Sequence, residues 1–243
     1  MAGPWRRRAR PGRRSGPPDE DRWWEPADQA AVERPLLHAR DLGKGWQPVP
    51  MVNNVERLDP HGDDPASDAV RAARQARKLT ALDEGAAWRR RRDGALLVAR
   101  VEAFVDDDEA AHRAAWQANG APSLDAVFRA RWRERGREPG WIEARWCAAS
   151  DRPDGLRAGA AEASEAADAL DWLVVEDHTD LTAEDPVVVY EHLTLWAGRV
   201  LVTLILRHRL GEEVHQALAG AVPAAWSATR ELSRRSGPAR GSA

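Results

Sequence analysis

Cysteine occurs once in this chain, at Cys147, so an intramolecular disulfide framework is excluded and the fold must stand on its core. The length of 243 residues and the 43% hydrophobic content suffice for that. No apolar run approaches the roughly 18 residues a membrane-spanning helix needs; the longest aliphatic stretch is the few residues from Val200 to Leu206. Nucleophile-elbow, phosphate-loop and dinucleotide-fold glycine signatures are all missing, which removes the commonest hydrolase and nucleotide-binding readings. The arginines near the start resemble the charged part of a leader, but Arg13, Arg14, Asp19, Glu20, Asp21 and Arg22 interrupt any apolar segment after them. A cytoplasmic protein is therefore expected.

Lysine is scarce as well: Lys44 and Lys78 stand among 36 basic residues, and the arginine, alanine and proline bias fits a GC-rich, actinobacterial genome. Phenylalanine occurs twice and tyrosine once, against twelve tryptophans. Eight of these fall on expected elements (Trp88, Trp116, Trp132, Trp141, Trp146, Trp172, Trp196, Trp226), so tryptophan is read as the large core filler. Charge is segregated. The first 14 residues carry six arginines and no acid, whereas eleven acids face only Arg152 and Arg157 between Asp151 and Pro186. Residues 1–32 and 234–243 have no apolar periodicity and are expected to be disordered tails, the first basic, around a single domain at 33–233.

Within that domain "DDPASDAVRAARQARKLTAL" reads as a helix. "AAWRRRRDGALLVARVEAFVD" reads as a hairpin turning at Asp93-Gly94. Two helices follow, "DDDEAAHRAAWQANG" stopped by Gly120 and "PSLDAVFRARWRERG" opened by Ser123. "GWIEARWCA" and "ALDWLVVED" read as strands, Pro153 to Asp168 as loop with some helix, and Glu212 to Leu232 as a terminal helix. Strands joined mainly by hairpins, with helices between groups, define an α+β fold with a largely antiparallel sheet and helices packed against it.

"VVVYEHLTLWAGRVLVTLILRHR" is the strongest hairpin. With Ala197 and Gly198 as the loop, Val187, Val189, Leu193 and Leu195 share an apolar face with Val200, Val202, Leu204 and Leu206. The other face is amphipathic, and Tyr190, His192, Thr203 and Trp196 are its candidates for lining a ligand groove. This register sets His208 opposite Val187, four steps or about 13 Å from Glu191 along the strand, so no acid–base pair between them is expected. Glu191 is then an isolated carboxylate on an apolar face, needing an arginine, a proton or nearby water.

Two E-x-x-H pairs, Glu109/His112 and Glu212/His215, have the spacing of di-iron helices but lie at the starts of helices, where acids are favoured anyway. "DPHGDD" and "EDHTD" lack the ordered spacing of calcium or zinc sites. Cys147 reads as a small packed residue. No metal, no cofactor and no catalytic residue are expected. Arg89, Arg90, Arg91 and Arg92 beside Trp88, with Arg131 and Arg135 beside Trp132, form the candidate basic patch for nucleic acid.

"PLLHARDLGKGWQPVP" resembles the "LL…DLPxGW" opening of uncharacterised actinobacterial domains, with Gly43 in place of the proline. The downstream order is similar to PsbP/Mog1-like and kinase-sensor-type α+β domains. That resemblance implies a non-catalytic binding or interaction module, with a protein partner or small ligand and no membrane insertion. An Arg/Trp nucleic-acid binder and a small-molecule enzyme using a groove near His192 are the alternatives.

Overall fold

Ten-residue strands with apolar residues at every second position pair into the hairpin around which everything else is arranged. The structure, a computed structural model, describes residues 26–33, 36–50, 79–83, 86–134, 140–163, 165–178 and 187–235. In it β7 (Val188–Ala197) and β8 (Val200–Arg209) form the middle of an eight-stranded antiparallel sheet. β4 (Leu96–Phe104) flanks β8 and is followed by β3 (Ala87–Arg90) and β1 (Trp46–Val49). On the other side lie β6 (Leu170–Asp177) and β5 (Ile142–Trp146); β2 (Leu79–Asp83) pairs with the far end of β4. The α+β, antiparallel expectation is met.

Two helical layers cover the sheet. α5 (Gln216–Arg235), α3 (Asp154–Glu162) and α1 (Pro26–Val32) pack on one face, where Leu97, Val101, Leu193, Leu195, Val202 and Leu204 meet Leu156, Leu218, Val222 and Val32. This is the α5 face. On the opposite face α2 (Glu109–Glu134) lays Leu124, Phe128 and Trp132 over Leu173, Val175 and Tyr190. A short α4 (Ala166–Ala169) leads into β6.

Four expectations are corrected. The helix ending "KLTAL" gives way to strand at Leu79, the residues before it lying outside the described set. The two helices meeting at Gly120 are one, because Gly120 serves close packing rather than termination: a Cβ there would sit 2.9 Å from Trp146 Cζ2. Gly94 has the expected positive φ of 77°, but the chain reverses over four residues, with Arg90 N–H donating to Ala95 O at 2.8 Å. The domain also begins earlier than residue 33. α1 buries Val32 and sends Asp28 to Arg199 at 2.6 Å, beside the β7–β8 turn.

No helix among the described residues is long and apolar enough to cross a membrane.

A candidate metal centre on the sheet

The β7–β8 loop is Gly198-Arg199, not Ala197-Gly198; Ala197 pairs with Val200 and Gly198 takes the positive φ, 54°. Moving the loop by one residue shifts the partner of every β7 position by two. The faces are unchanged, since a shift of two preserves the pleat, but His208 now lies opposite Val189 and Glu191 opposite Leu206. Glu191 and His208 are therefore diagonal neighbours on the α5 face, two steps or about 6.6 Å apart along the strand, within reach of long side chains. They meet: His208 Nε2 lies 2.7 Å from Glu191 Oε1. The expectation that they are too far apart to pair is overturned.

A third group arrives from outside the hairpin. Beyond β8 the chain turns at Gly211, with φ 86°, and Glu212 Oε2 accepts the Arg209 N–H at 3.1 Å. Val214 is fully buried, and His215, the residue before α5, comes back over His208 with the ring centroids 5.4 Å apart. Its Nε2 is 2.5 Å from the same Glu191 Oε1. The other oxygen, Oε2, accepts the Trp172 indole N–H at 2.9 Å. Glu191 and His208 side chains are 2% and 4% exposed, whereas His215 is 27% exposed.

Small residues and arginines hold His215 in place. A Cβ on Gly155 would lie 1.9 Å from the His215 carbonyl oxygen, one on Gly159 2.5 Å from Leu218 O, and one on Gly220 2.2 Å from Asp41 O. Only glycine allows α3 and the 3-10 turn Ala39–Leu42 to approach α5 this closely. Arg90 Nη1 and Arg92 Nη2 donate to Glu213 O at 2.7 and 3.1 Å, fixing the loop that carries His215.

Proton placement follows from the hydrogen-bond network. His208 Nδ1 faces the Arg209 carbonyl at 2.9 Å, an acceptor only, so Nδ1 carries a proton. Nε2 faces a carboxylate and carries the second. Burial alone would raise the Glu191 pKa, but the hydrogen bonds from His208 and His215 outweigh it and hold the carboxyl at about 2. For His208, burial works downward and is overcome by the hydrogen bond and charge of Glu191, so its pKa is raised. The metal-free site is an imidazolium–carboxylate pair with a second imidazole on the same oxygen.

The ligating atoms of Glu191, His208 and His215 all lie within 4.8 Å of one another. Two nitrogens and one oxygen are a donor set for zinc and other first-row divalent ions, at about 2.0–2.2 Å from each donor. Tetrahedral ligation sets donors about 3.3 Å apart, so the two contacts to Glu191 Oε1, now 2.7 and 2.5 Å, need to open by about 0.6 and 0.8 Å. An ion replacing the Nε2 proton would leave His208 donating Nδ1–H to a carbonyl, the usual outer contact of a ligating histidine.

The other sequence-derived candidates are placed elsewhere. Tyr190, His192, Thr203 and Trp196 do share the α2 face, but all are buried, at 8%, 3%, 8% and 1% exposure. Tyr190 packs edge-on against Phe128, and Trp196 donates to Asp171 Oδ2 at 3.2 Å. Burial, then the Arg100 charge, pushes His192 down to about 4 and keeps it neutral. Arg89, Arg91 and Arg92 are exposed, but Arg90 leaves the expected patch for Asp93 and Glu213 O under Trp46. Arg131 lies in α2, and Arg135 lies outside the described residues.

Neither E-x-x-H pair acts as a unit. Glu109 accepts the Gly198 N–H at 2.7 Å, while His112 contacts Asp106 at 2.7 Å and stacks on Phe104. "DPHGDD" falls outside the described residues; in "EDHTD", His178 lies against Trp141 and 3.4 Å from Glu176 Oε2. Cys147 is half-buried beside Arg145, and burial raises its thiol pKa.

Comparison of the chain with protein-family models, with curated proteins and with solved structures found no match.

Proposed function

We propose that this chain is a binding domain whose ligand is a divalent transition-metal ion held by Glu191, His208 and His215. One observation carries the reading: imidazoles from two different elements aim their Nε2 atoms at a single buried carboxylate oxygen. A purely structural buried carboxylate is met more economically by one arginine, since a guanidinium supplies two donors in a fixed fork. Imidazole nitrogens can instead give up a proton for a metal. The resemblance to non-catalytic binding modules points the same way, while the withdrawal of Arg90 into the interior weakens the nucleic-acid alternative.

The test is a zinc titration of chelator-treated protein by competition with a chromophoric chelator. One zinc per chain is expected. Glu191→Gln, His208→Ala and His215→Ala should each weaken binding by more than the roughly 10- to 100-fold that loss of an outer-sphere partner costs. His112→Ala and His178→Ala should bind as the parent does. Equal losses in these two controls, or no zinc binding by the parent, would refute the reading.

A further inference from the structure

Resting on that metal reading, we infer that the ion keeps a coordination position for an exogenous donor, a small monoanion such as a carboxylate, which enters past His215. Among the described residues Glu191, His208 and His215 are the one group of three that could ligate an ion together. Trp172 occupies Glu191 Oε2 at 2.9 Å, which holds the glutamate to one ligating oxygen. Three protein donors leave a tetrahedral ion one position short, the pattern of zinc sites that take up water or a ligand rather than of closed structural ones.

The direction of that position follows from burial. Glu191 and His208 have their backs to the α5-face core, among Val189, Leu204 and Leu206. His215 stands on the loop side, and its 27% exposure against 2% and 4% makes it the solvent-facing member. The charge class follows from electrostatics. A divalent ion, one carboxylate and two neutral imidazoles leave a net charge of about +1 in a largely desolvated setting, where an unbalanced charge is costly. A monoanionic donor brings the site to neutrality.

The experiment uses full-length protein loaded with cobalt(II), whose visible bands report coordination, with azide as the probe. Azide should shift the bands saturably and at one equivalent. Unchanged bands at full cobalt loading would overturn the open position while leaving the metal reading standing. Failure to bind cobalt would overturn both. A second measurement reads access by chemical rescue: His215→Gly should recover cobalt binding on addition of imidazole by at least tenfold, and His208→Gly should not. Rescue of His208→Gly with none for His215→Gly would place the opening on the wrong side and contradict the inference.

Discussion

Glu191 and Asp171 are both buried carboxylates of the same sheet, on opposite faces, and each accepts an indole N–H, from Trp172 at 2.9 Å and from Trp196 at 3.2 Å. Their remaining partners divide them. Asp171 receives Arg113 in a two-point contact, at 2.9 and 2.8 Å, and Gln117 at 3.0 Å; Arg113 also donates to Asp168 O at 2.7 Å. That arrangement fastens α2 to the sheet and has one state, because a guanidinium neither loses its proton nor ligates a metal. Glu191 receives two imidazoles instead, groups that offer a ligating lone pair once a ring nitrogen is deprotonated. Burial alone does not separate the two carboxylates; the exchangeability of their partners does.

The largest effect expected from breaking this comparison is at the permanent pair. Asp171→Leu should destabilise the metal-free protein by about 3–5 kcal/mol, since it strands a partly buried Arg113. Glu191→Leu should cost clearly less, about 1–2 kcal/mol, because His208 can shed its proton when its partner is lost. Urea unfolding in the presence of a chelator measures both, and an equal or larger loss at Glu191 would mean that its site is also a fixed pin.

A smaller effect is the pH profile of that difference. Glu191 is held below its ordinary 4.5, so its contribution is present above pH 4.5 and lost as the pH falls toward 2. His208 is held above its ordinary 6.5, so its contribution is full below pH 6.5 and lost as the pH rises through its folded pKa. In metal-free protein the stability gap between the parent and Glu191→Leu should be widest between about pH 4.5 and 6.5. A gap that is flat from pH 4 to pH 9 would contradict the imidazolium–carboxylate assignment.

Much of the fold is legible in the chain because it rests on local pattern. The alternation from Val187 to Leu206 identifies the apolar face whatever the exact loop, since moving the loop by one residue shifts the register by two and preserves the pleat. The same shift hides the site, because two residues of displacement separate a diagonal contact from an unreachable one. Gly198, a residue suited to positive φ, was the available signal: at the first loop position it fixes the register that brings His208 to Glu191. His215 is harder to foresee. Its position depends on the turn at Gly211 and on the glycines at 155, 159 and 220, whose roles are steric contacts between distant segments and leave no periodicity. Gly120 misleads for the same reason, reading as a helix stop when it is a seat for Trp146. α1 is missed because its hold on the domain is Asp28 to Arg199, a contact across 171 residues, and the burial of Val32 in a charged, proline-containing neighbourhood.

The most direct test of the metal assignment is diffraction from zinc-soaked crystals at energies on either side of the zinc absorption edge. One strong anomalous peak is expected about 2.0–2.2 Å from Glu191 Oε1, His208 Nε2 and His215 Nε2, with Trp172 still donating to Oε2. Zinc bound only elsewhere, for example at His112 with Asp106 or at His178 with Glu176, while both imidazoles stay hydrogen-bonded to Glu191, would contradict the assignment.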